Sequence, residues 1–204
     1  MPRFLSPIVA FVLAISTLAI PSAPVPRKAP DLSFTDPSGK AISLSSFKGK
    51  VVALEFFFMR SMHCVRVAQL LNQLNDELRA RGFQAVGVAF SAPQSPADAG
   101  TVEQFVEAYR IAFPVGYTGK TDVDRFLNRS KSDLFSIPQV VIIDRAGMIR
   151  AQSGQRPGDP KLEDGASLRT LLDSLLKEAP PTRHPTKTAS LSKSGHAGTN
   201  EGTP

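Results

Sequence analysis

Residues 55–64 read EFFFMRSMHC and decide the fold, because they join two segments whose apolar residues repeat differently. The run that starts at Val51 is apolar before and after Glu55, which is typical of a buried strand. Residues 65–81 carry apolar side chains at helical spacing, which predicts an amphipathic helix. The only cysteine, Cys64, therefore lies near a helix start and at the carboxyl end of a predicted central strand. Functional sites of open α/β sheets form at this edge.

The chain beyond this stretch alternates predicted strands and helices. A turn signal at residues 36–39 predicts a β-hairpin over residues 32–44. Residues 139–144 and 148–152 flank a second turn and predict an antiparallel hairpin. The other predicted elements are a strand at 83–90 parallel to the central one, a helix at 101–111, a short strand at 113–115, a short helix at 123–128 and a leucine-striped terminal helix ending near 176.

The two ends of the chain differ from the rest in composition. Residues 1–23 combine a basic start with an apolar run, which predicts an export signal peptide or a short membrane anchor. Residues 24–30 are rich in proline and are expected to form a linker to a single domain at residues 31–179. Residues 180–204 are rich in small and polar residues and are expected to be disordered. We therefore expect an exported protein, periplasmic or anchored facing outside the cytoplasm, with membrane association through residues 1–23.

Composition and charge exclude several classes of protein. A chain of 204 residues with 42% hydrophobic and 21% charged residues suits one globular domain with tails. A single cysteine excludes an intrachain disulfide. The net charge of +6 comes mostly from basic residues in the two ends, so the central part is nearly neutral. Because no basic stripe with interleaved aromatic residues is present, nucleic-acid binding is not expected.

The turn at residues 61–64, SMHC, resembles the active-site turn of the thioredoxin-like superfamily. It is most similar to the exported thiol-disulfide oxidoreductases of the ResA/TlpA type, and next to the peroxiredoxins. These families place Cys-x-x-Cys or Thr/Ser-x-x-Cys at this turn, so Ser61 stands where the first cysteine stands and Cys64 is the second. The resemblance covers about residues 29–179. It implies a thioredoxin-like three-layer α/β/α sandwich, with a mixed central sheet and an N-terminal β-hairpin.

The resemblance also implies roles for residues outside the turn. Ile137-Pro138 matches the cis-proline loop, which in relatives faces the active-site cysteine and pairs its backbone with an extended substrate chain. Glu55, six residues before Ser61, matches the buried acid beneath the active site. The family pattern carries no cofactor and no metal, and it implies a thiol or disulfide protein partner, or a peroxide.

Cys64 is the candidate nucleophile. The Ser61 hydroxyl is expected to cap the helix by accepting a hydrogen bond from the backbone N–H of Cys64. The cap, the helix dipole and the neighbouring Arg60 would then favour the thiolate and lower the pKa of Cys64. The alternative is a buried and unreactive cysteine, because the second cysteine of the dithiol relatives is the more buried one.

Two further ionisable residues accompany Cys64. Glu55 interrupts an apolar strand, where an ionised carboxylate is costly unless it is paired. It is interpreted as a proton acceptor for Cys64 whose pKa is raised by burial, and alternatively as a solvent-facing residue. His63 is interpreted as a residue that tunes the thiolate or carries a proton, and alternatively as an exposed side chain at the mouth of the site.

These residues favour a thiol redox protein with antioxidant or oxidoreductase activity. In this hypothesis Cys64 attacks a peroxide or a disulfide and is regenerated by an external thiol. A second hypothesis is a non-catalytic binding module that keeps the groove near Ile137. A third is a Cu(I) carrier, because soft ligands lie close together in the sequence. These candidate ligands are Met59, Met62, His63 and Cys64.

Overall fold

A computed structural model describes residues 24–92, 94–130, 136–154 and 161–180. Strands and helices alternate along these residues, as the sequence predicts. The strands are β1 (Arg27–Lys28), β2 (Ser33–Thr35), β3 (Ala41–Ser43), β4 (Val51–Phe57), β5 (Phe83–Phe90), β6 (Val115–Thr118), β7 (Gln139–Ile143) and β8 (Met148–Gln152). The helices are α1 (Met62–Leu78), α2 (Ala99–Tyr109), α3 (Lys120–Leu127) and α4 (Gly165–Lys177).

The strands form one mixed sheet in the order β1-β8-β7-β4-β5-β6-β2-β3. The central strand β4 pairs in parallel with β5 and antiparallel with β7. The β2–β3 hairpin and the β7–β8 hairpin both form as predicted. A mixed central sheet with an N-terminal hairpin and helices packed against it is the thioredoxin-like arrangement, so the predicted fold class is confirmed.

The alternation of side chains along β4 divides the core into two layers. Ala53 and Phe57 face the layer that contains α1 and α4, together with Cys64. Leu54 and Phe56 face the opposite layer, where the Phe56 ring meets Phe126 of α3 edge-on at 5.4 Å. Every residue of β4 is buried, so any polar group on this strand lies in an apolar interior.

The N-terminal edge of the sheet differs from the prediction. Residues 24–30 were expected to be a linker, but β1 pairs with β8, with Arg27 opposite Ile149. The Arg27 guanidinium also donates hydrogen bonds to the Phe126 carbonyl at 3.3 Å and to Gln152 Oε1 at 2.7 Å. The proline-rich composition correctly indicates an extended chain, and an extended chain can pair with an open sheet edge wherever it offers N–H donors.

Smaller differences concern the ends of the elements. Helix α1 begins at Met62, directly after its predicted N-cap Ser61 and three residues before the predicted apolar repeat of residues 65–81. Helix α2 begins at Ala99, where Asp98 and Thr101 form a capping box. The predicted signal or anchor at 1–23 and all of the predicted tail except its first residue lie outside the described residues. Among the helices of the described part, none combines the length and the apolar character needed to cross a membrane.

Candidate active site

The start of α1 places Ser61 and Cys64 side by side. Ser61 has an extended backbone, and its hydroxyl accepts a hydrogen bond from the Cys64 backbone N–H at 3.4 Å. The Phe58 carbonyl accepts a hydrogen bond from the Ser61 backbone N–H at 3.1 Å, which closes the turn between strand and helix. The predicted cap is therefore confirmed, and it fixes Cys64 in the first turn of the helix.

Burial of the Cys64 side chain reverses the expected direction of its pKa. Cys64 is 0% exposed, and this burial raises the pKa of its thiol. Hydrogen bonds from the Ser61 side chain and the backbone at Phe58 oppose the rise, whereas the Glu55 carboxylate adds to it. The prediction of a lowered pKa for Cys64 is therefore wrong, because desolvation of the sulfur outweighs the favourable cap.

Arg60 does not supply the expected positive charge to the sulfur. Its side chain is exposed, and it is not among the principal influences on the Cys64 thiol. His63 is also exposed, although it directly precedes Cys64. Both residues therefore lie at the surface around the turn, while the thiol belongs to the apolar layer beneath it.

Glu55 lies at the centre of β4 and is completely buried. Its strand neighbours in register are Gly87 on β5 and Val140 on β7, and neither side chain can pair with a carboxylate. Neither carboxylate oxygen has a hydrogen-bond partner among the described residues. Burial therefore raises the pKa of Glu55 well above its ordinary value, as predicted, and the solvent-facing alternative is wrong.

Gly87 provides the space beside Glu55. A Cβ atom added to Gly87 would lie 3.2 Å from Phe57 Cε1 and 3.3 Å from Phe113 Cε2. These distances are shorter than ordinary van der Waals contact, so the aromatic side chains fill the remaining room. The carboxylate of Glu55 thus shares a buried, tightly packed layer with Cys64, and it is close enough to influence the pKa of the thiol.

The loop before β7 has the predicted cis peptide bond between Ile137 and Pro138. Pro138 is buried and Ile137 is half-buried, in contact with both layers of the core. Gln139 Nε2 donates a hydrogen bond to the Ser136 carbonyl at 2.8 Å, which ties the loop to the strand. Because Gln139 pairs with Phe56, the loop lies at the end of β4 from which the site turn leaves.

An open cleft of about 350 Å³ lies beside the site turn, and the sequence did not identify it. Met59 and Arg60 form one side, and one face of α2 forms the other. The apolar periodicity of α2 was recognised, but the pairing of its outer face with the site turn depends on the tertiary fold. The α2 residues that line the cleft are Thr101, Gln104, Phe105, Ala108 and Tyr109.

The arrangement of the four soft side chains does not favour the copper hypothesis. Met62 is 60% exposed and His63 is exposed, whereas Cys64 is fully buried. Across the described ranges, no group of three or more His, Cys, Asp and Glu side chains is placed to hold a metal ion. The cysteine that a copper site would need therefore faces the core and not the surface where Met62 and His63 lie.

Comparison with known proteins gives consistent matches. The model of the AhpC/TSA family matches residues 25–152. Two thiol-disulfide oxidoreductases named ResA are similar: the protein of Bacillus thuringiensis subsp. konkukian is 26% identical over 123 residues, and that of Geobacillus kaustophilus is 27% identical over 122 residues. Each alignment covers 60% of this chain, and it spans 65% and 64% of the respective relative.

Solved structures support the same placement. A Chlorobium tepidum protein provisionally named thiol:disulfide interchange protein DsbE has a TM-score of 0.60 at 26% identity, covering 74% of this chain and 96% of its own. A second Chlorobium tepidum structure, a thiol:disulfide interchange protein of the thioredoxin family, has a TM-score of 0.60 at 22% identity and covers 76% and 99%. With a family model that matches more than half of its residues, this chain belongs to the AhpC/TSA family and has the thioredoxin-like fold of a redoxin.

Proposed function

We propose that this protein is an exported thiol-disulfide oxidoreductase that works with Cys64 as its sole thiol. The observation that carries the proposal is the buried, unpaired carboxylate of Glu55 next to a cysteine held at a capped helix start. An unpaired buried carboxyl group destabilises a fold, and such groups are concentrated at functional sites. The names of the ResA relatives support the same chemistry.

The proposed reaction is exchange through a mixed disulfide. The Cys64 sulfur attacks one sulfur of a partner's disulfide, forming a Cys64–partner disulfide and releasing the other partner sulfur as a thiol. An external thiol then attacks the mixed disulfide, returns Cys64 to its thiol form and leaves with the partner sulfur as a new disulfide. Each step exchanges one thiol for another, so no electrons are gained or lost overall.

Glu55 is the proposed proton carrier in these steps. Burial raises the pKa values of both Glu55 and Cys64, so the Cys64 thiol holds its proton in the resting protein and the ionised Glu55 carboxylate is a stronger base than an ordinary glutamate. The thiol must lose its proton before it attacks, because the thiolate is the nucleophile. A carboxyl group with a raised pKa can take up and return a proton near neutral pH, which an ordinary glutamate does poorly.

A disulfide substrate is favoured over a peroxide. Peroxide reduction would oxidise Cys64 to a sulfenic acid and release water or an alcohol, which requires a reactive thiolate exposed to the peroxide. Cys64 is buried with a raised pKa, and Arg60 is exposed at the surface. A protein partner, by contrast, can bind the backbone of Ile137 and open the turn over the sulfur as it docks.

The test is mixed-disulfide formation with purified full-length protein. Wild type is incubated with glutathione disulfide, and mass spectrometry measures the glutathione adduct on Cys64 over time. We expect an adduct that reduced glutathione removes, no adduct with Cys64→Ser, and an altered pH profile with Glu55→Gln. A native Cys64 that forms no adduct with glutathione disulfide and reacts only after unfolding would contradict the proposal.

A non-catalytic binding module is the second candidate. It is favoured by one observation, that Cys64 is fully buried. By resemblance, Ser61 stands where the dithiol relatives carry their attacking cysteine. This candidate predicts that Cys64→Ser binds partner proteins as well as wild type does. Calorimetry with a captured partner, comparing the wild type and the variant, separates the two functions.

Export is proposed from residues 1–23, whose basic start and apolar run predict a signal or an anchor. Fusion of residues 1–30 to alkaline phosphatase tests it in bacteria, because this enzyme requires disulfides that form outside the cytoplasm. High phosphatase activity is expected. Activity no higher than that of a fusion lacking these residues would contradict export.

A further inference from the structure

We infer that the cleft beside the site turn recognises an acidic, apolar segment of the partner protein next to its reacting cysteine. The inference rests on the proposed thiol exchange and names the kind of partner that enters it. Three observations support it: the composition of the cleft, the unpaired charge of Arg60 and the orientation of α2.

The cleft combines an apolar floor with one positive charge. Phe105 is 4% exposed and forms the floor, where its ring packs against Tyr109 with centroids 5.1 Å apart. Met59 is half-buried and forms the wall nearest the site. A sulfur-containing and aromatic lining of this kind accepts varied apolar side chains, because thioether and ring surfaces adapt to their partners.

Among the described residues that line the cleft, Arg60 is the only charged one. It is exposed, and it forms neither an ion pair nor a hydrogen bond with another described residue. By contrast, Arg81 and Arg125, which are also exposed, pair with Asp173 and Asp122. A guanidinium left without a carboxylate can bind one from a partner in a two-pronged geometry.

The direction of α2 turns its two glutamates away from the cleft. At about 100° per residue, the lining residues 101, 104, 105, 108 and 109 share one face of the helix. Glu103 and Glu107 lie about 130–170° away from the centre of that face. Asp98, at the helix start, lies on the cleft side of α2, but its carboxylate accepts hydrogen bonds from the Thr101 backbone N–H and hydroxyl. The two glutamates of α2 therefore do not oppose a carboxylate bound to Arg60.

A segment of a partner protein fits this cleft better than the ends of this chain. Residues 181–204 carry Arg183, Lys187 and Lys193 against Glu201, so their charge would be repelled by Arg60. The cleft is continuous with the site turn through Met59 and Arg60, which directly precede Ser61. A chain that delivers a sulfur to Cys64 therefore passes its neighbouring side chains over this cleft.

The experiment measures binding without covalent chemistry. Full-length Cys64→Ser protein is titrated into fluorescein-labelled peptides GLDSLG, GLNSLG and GGDSGG, in which serine replaces the reacting cysteine, and anisotropy is recorded at low salt. We expect two- to fivefold tighter binding of GLDSLG than of GLNSLG, which is the scale of an exposed ion pair. We also expect weaker binding of GGDSGG, because it lacks the leucines.

Matched variants test whether Arg60 causes the tighter binding of the acidic peptide. Arg60→Gln should abolish the difference between GLDSLG and GLNSLG, whereas Arg66→Gln, an exposed arginine of α1 outside the cleft, should keep it. The preference should also disappear at 500 mM salt, where exposed charges are screened. Equal binding of the two peptides at low salt, or a preference that survives Arg60→Gln, would overturn the inference. Tight binding of decanoate without binding of GLDSLG would assign the cleft to a small amphiphile and overturn it as well.

Failure of this inference is distinguishable from failure of the proposed function. If Cys64 shows no thiol exchange but the peptide preference depends on Arg60, the proposed enzymatic function is wrong and the binding role of the cleft is supported. If thiol exchange occurs without that preference, the enzymatic function is supported and the binding role of the cleft is wrong.

Discussion

Two polar side chains of the central sheet differ in how far their hydrogen bonds are satisfied. Within β4, towards the end that leads to the site, the buried Glu55 carboxylate has no hydrogen-bond partner among the described residues. At the opposite end, the Arg145 guanidinium donates to four backbone carbonyls at 2.8–3.3 Å. Three of these carbonyls belong to the end of α4, at Leu175, Leu176 and Glu178, and the fourth to Arg81 after α1. The Arg145 side chain is therefore well supplied with hydrogen bonds, and the Glu55 carboxyl group has none among the described residues.

This difference separates a polar group that stabilises the fold from one that destabilises it. Carbonyls at a helix end lack partners within the helix, so Arg145 lowers the free energy of the folded state by binding them. Glu55 gains nothing comparable, because burial removes its water and supplies no donor. The same contrast holds for Asn75, which is buried but accepts a hydrogen bond from the Ala85 backbone at 3.0 Å. Glu55 is thus a cost in stability that catalysis would explain.

The largest expected effect comes from removing the hydrogen bonds that Arg145 donates. Arg145→Met should lower the free energy of unfolding by about 2–3 kcal/mol, because several charge-assisted hydrogen bonds to carbonyls are lost at once. Thermal or urea unfolding measures this loss. Arg150→Met is the control, since its ion pairs with Asp144 and Glu178 are partly exposed and should contribute less than about 1 kcal/mol. Equal losses of unfolding free energy in both variants would show that the hydrogen bonds of Arg145 contribute no more than the ion pairs of Arg150.

The second prediction concerns a variant with an additional thiol at the site turn. Ser61→Cys should form a disulfide with Cys64, because residues three apart at a helix start are neighbours. The new thiol lies at the cap and is less buried than Cys64, so it should have the lower pKa and raise the exchange rate at least about tenfold. Thiol counting after oxidation and an insulin reduction assay measure both results. Two free thiols after treatment with oxidant would show that the turn lacks the required geometry.

The third prediction concerns the unpaired carboxylate and the stability of the fold. The pKa of Glu55 is raised in the folded protein, so the folded state binds more protons than the unfolded state between the two pKa values. Wild-type stability should therefore be greatest below the unfolded pKa and should fall as the pH rises through this window. Glu55→Gln should be more stable than wild type at pH 8 by about 1 kcal/mol, the scale of one pKa unit, with little difference at pH 4. The same difference at both pH values would show that Glu55 does not titrate abnormally.

The reactivity of Cys64 provides a related fourth prediction. Since burial raises the pKa of Cys64, alkylation of native wild type by iodoacetamide should increase only above the usual pH range of a free thiol. Glu55→Gln should move this profile to lower pH, because the Glu55 carboxylate contributes to the raised pKa. Mass spectrometry of Cys64 after short exposures measures the rate. An unchanged profile would show that the two groups are not coupled.

The smallest expected effect comes from the ends of the chain. Deletion of residues 1–26 and 179–204 should change the free energy of unfolding by less than about 0.5 kcal/mol, because β1 and the Glu178 carbonyl remain. Extending the N-terminal deletion to residue 28 should cost more, since it removes β1 and the two hydrogen bonds of Arg27. Urea unfolding compares the two truncations, and equal stability would show that β1 does not contribute.

The sequence predicted features that depend on neighbouring residues. The cap at Ser61, the buried strand around Glu55 and the hairpin at the end of the sheet follow from spacing and from local hydrogen bonds. Family resemblance added the cis bond before Pro138. The edge strand at Arg27 was missed because its partner, Ile149, lies more than a hundred residues later in the chain.

Prediction from the sequence failed for properties that depend on how deeply a side chain is buried in the folded protein. A helix start and a capping hydroxyl both favour the Cys64 thiolate, but packing of α1 on the sheet desolvates the sulfur, and no local pattern reports that. The role of Arg145 was missed for a similar reason, because its acceptors lie 30–64 residues away in sequence. The cleft at Arg60 likewise requires α2 to be placed beside the turn.

The absence of a second cysteine has a consequence for how the scaffold responds to thiols. Many small secreted domains hold their scaffolds together with disulfides, which a thiol can reduce or rearrange. Here the last helix is held on the sheet by its buried leucines and by the Arg145 guanidinium, and the chain has no second cysteine. No intrachain disulfide therefore contributes to the scaffold, and thiol–disulfide exchange can act on this chain only at the sulfur of Cys64.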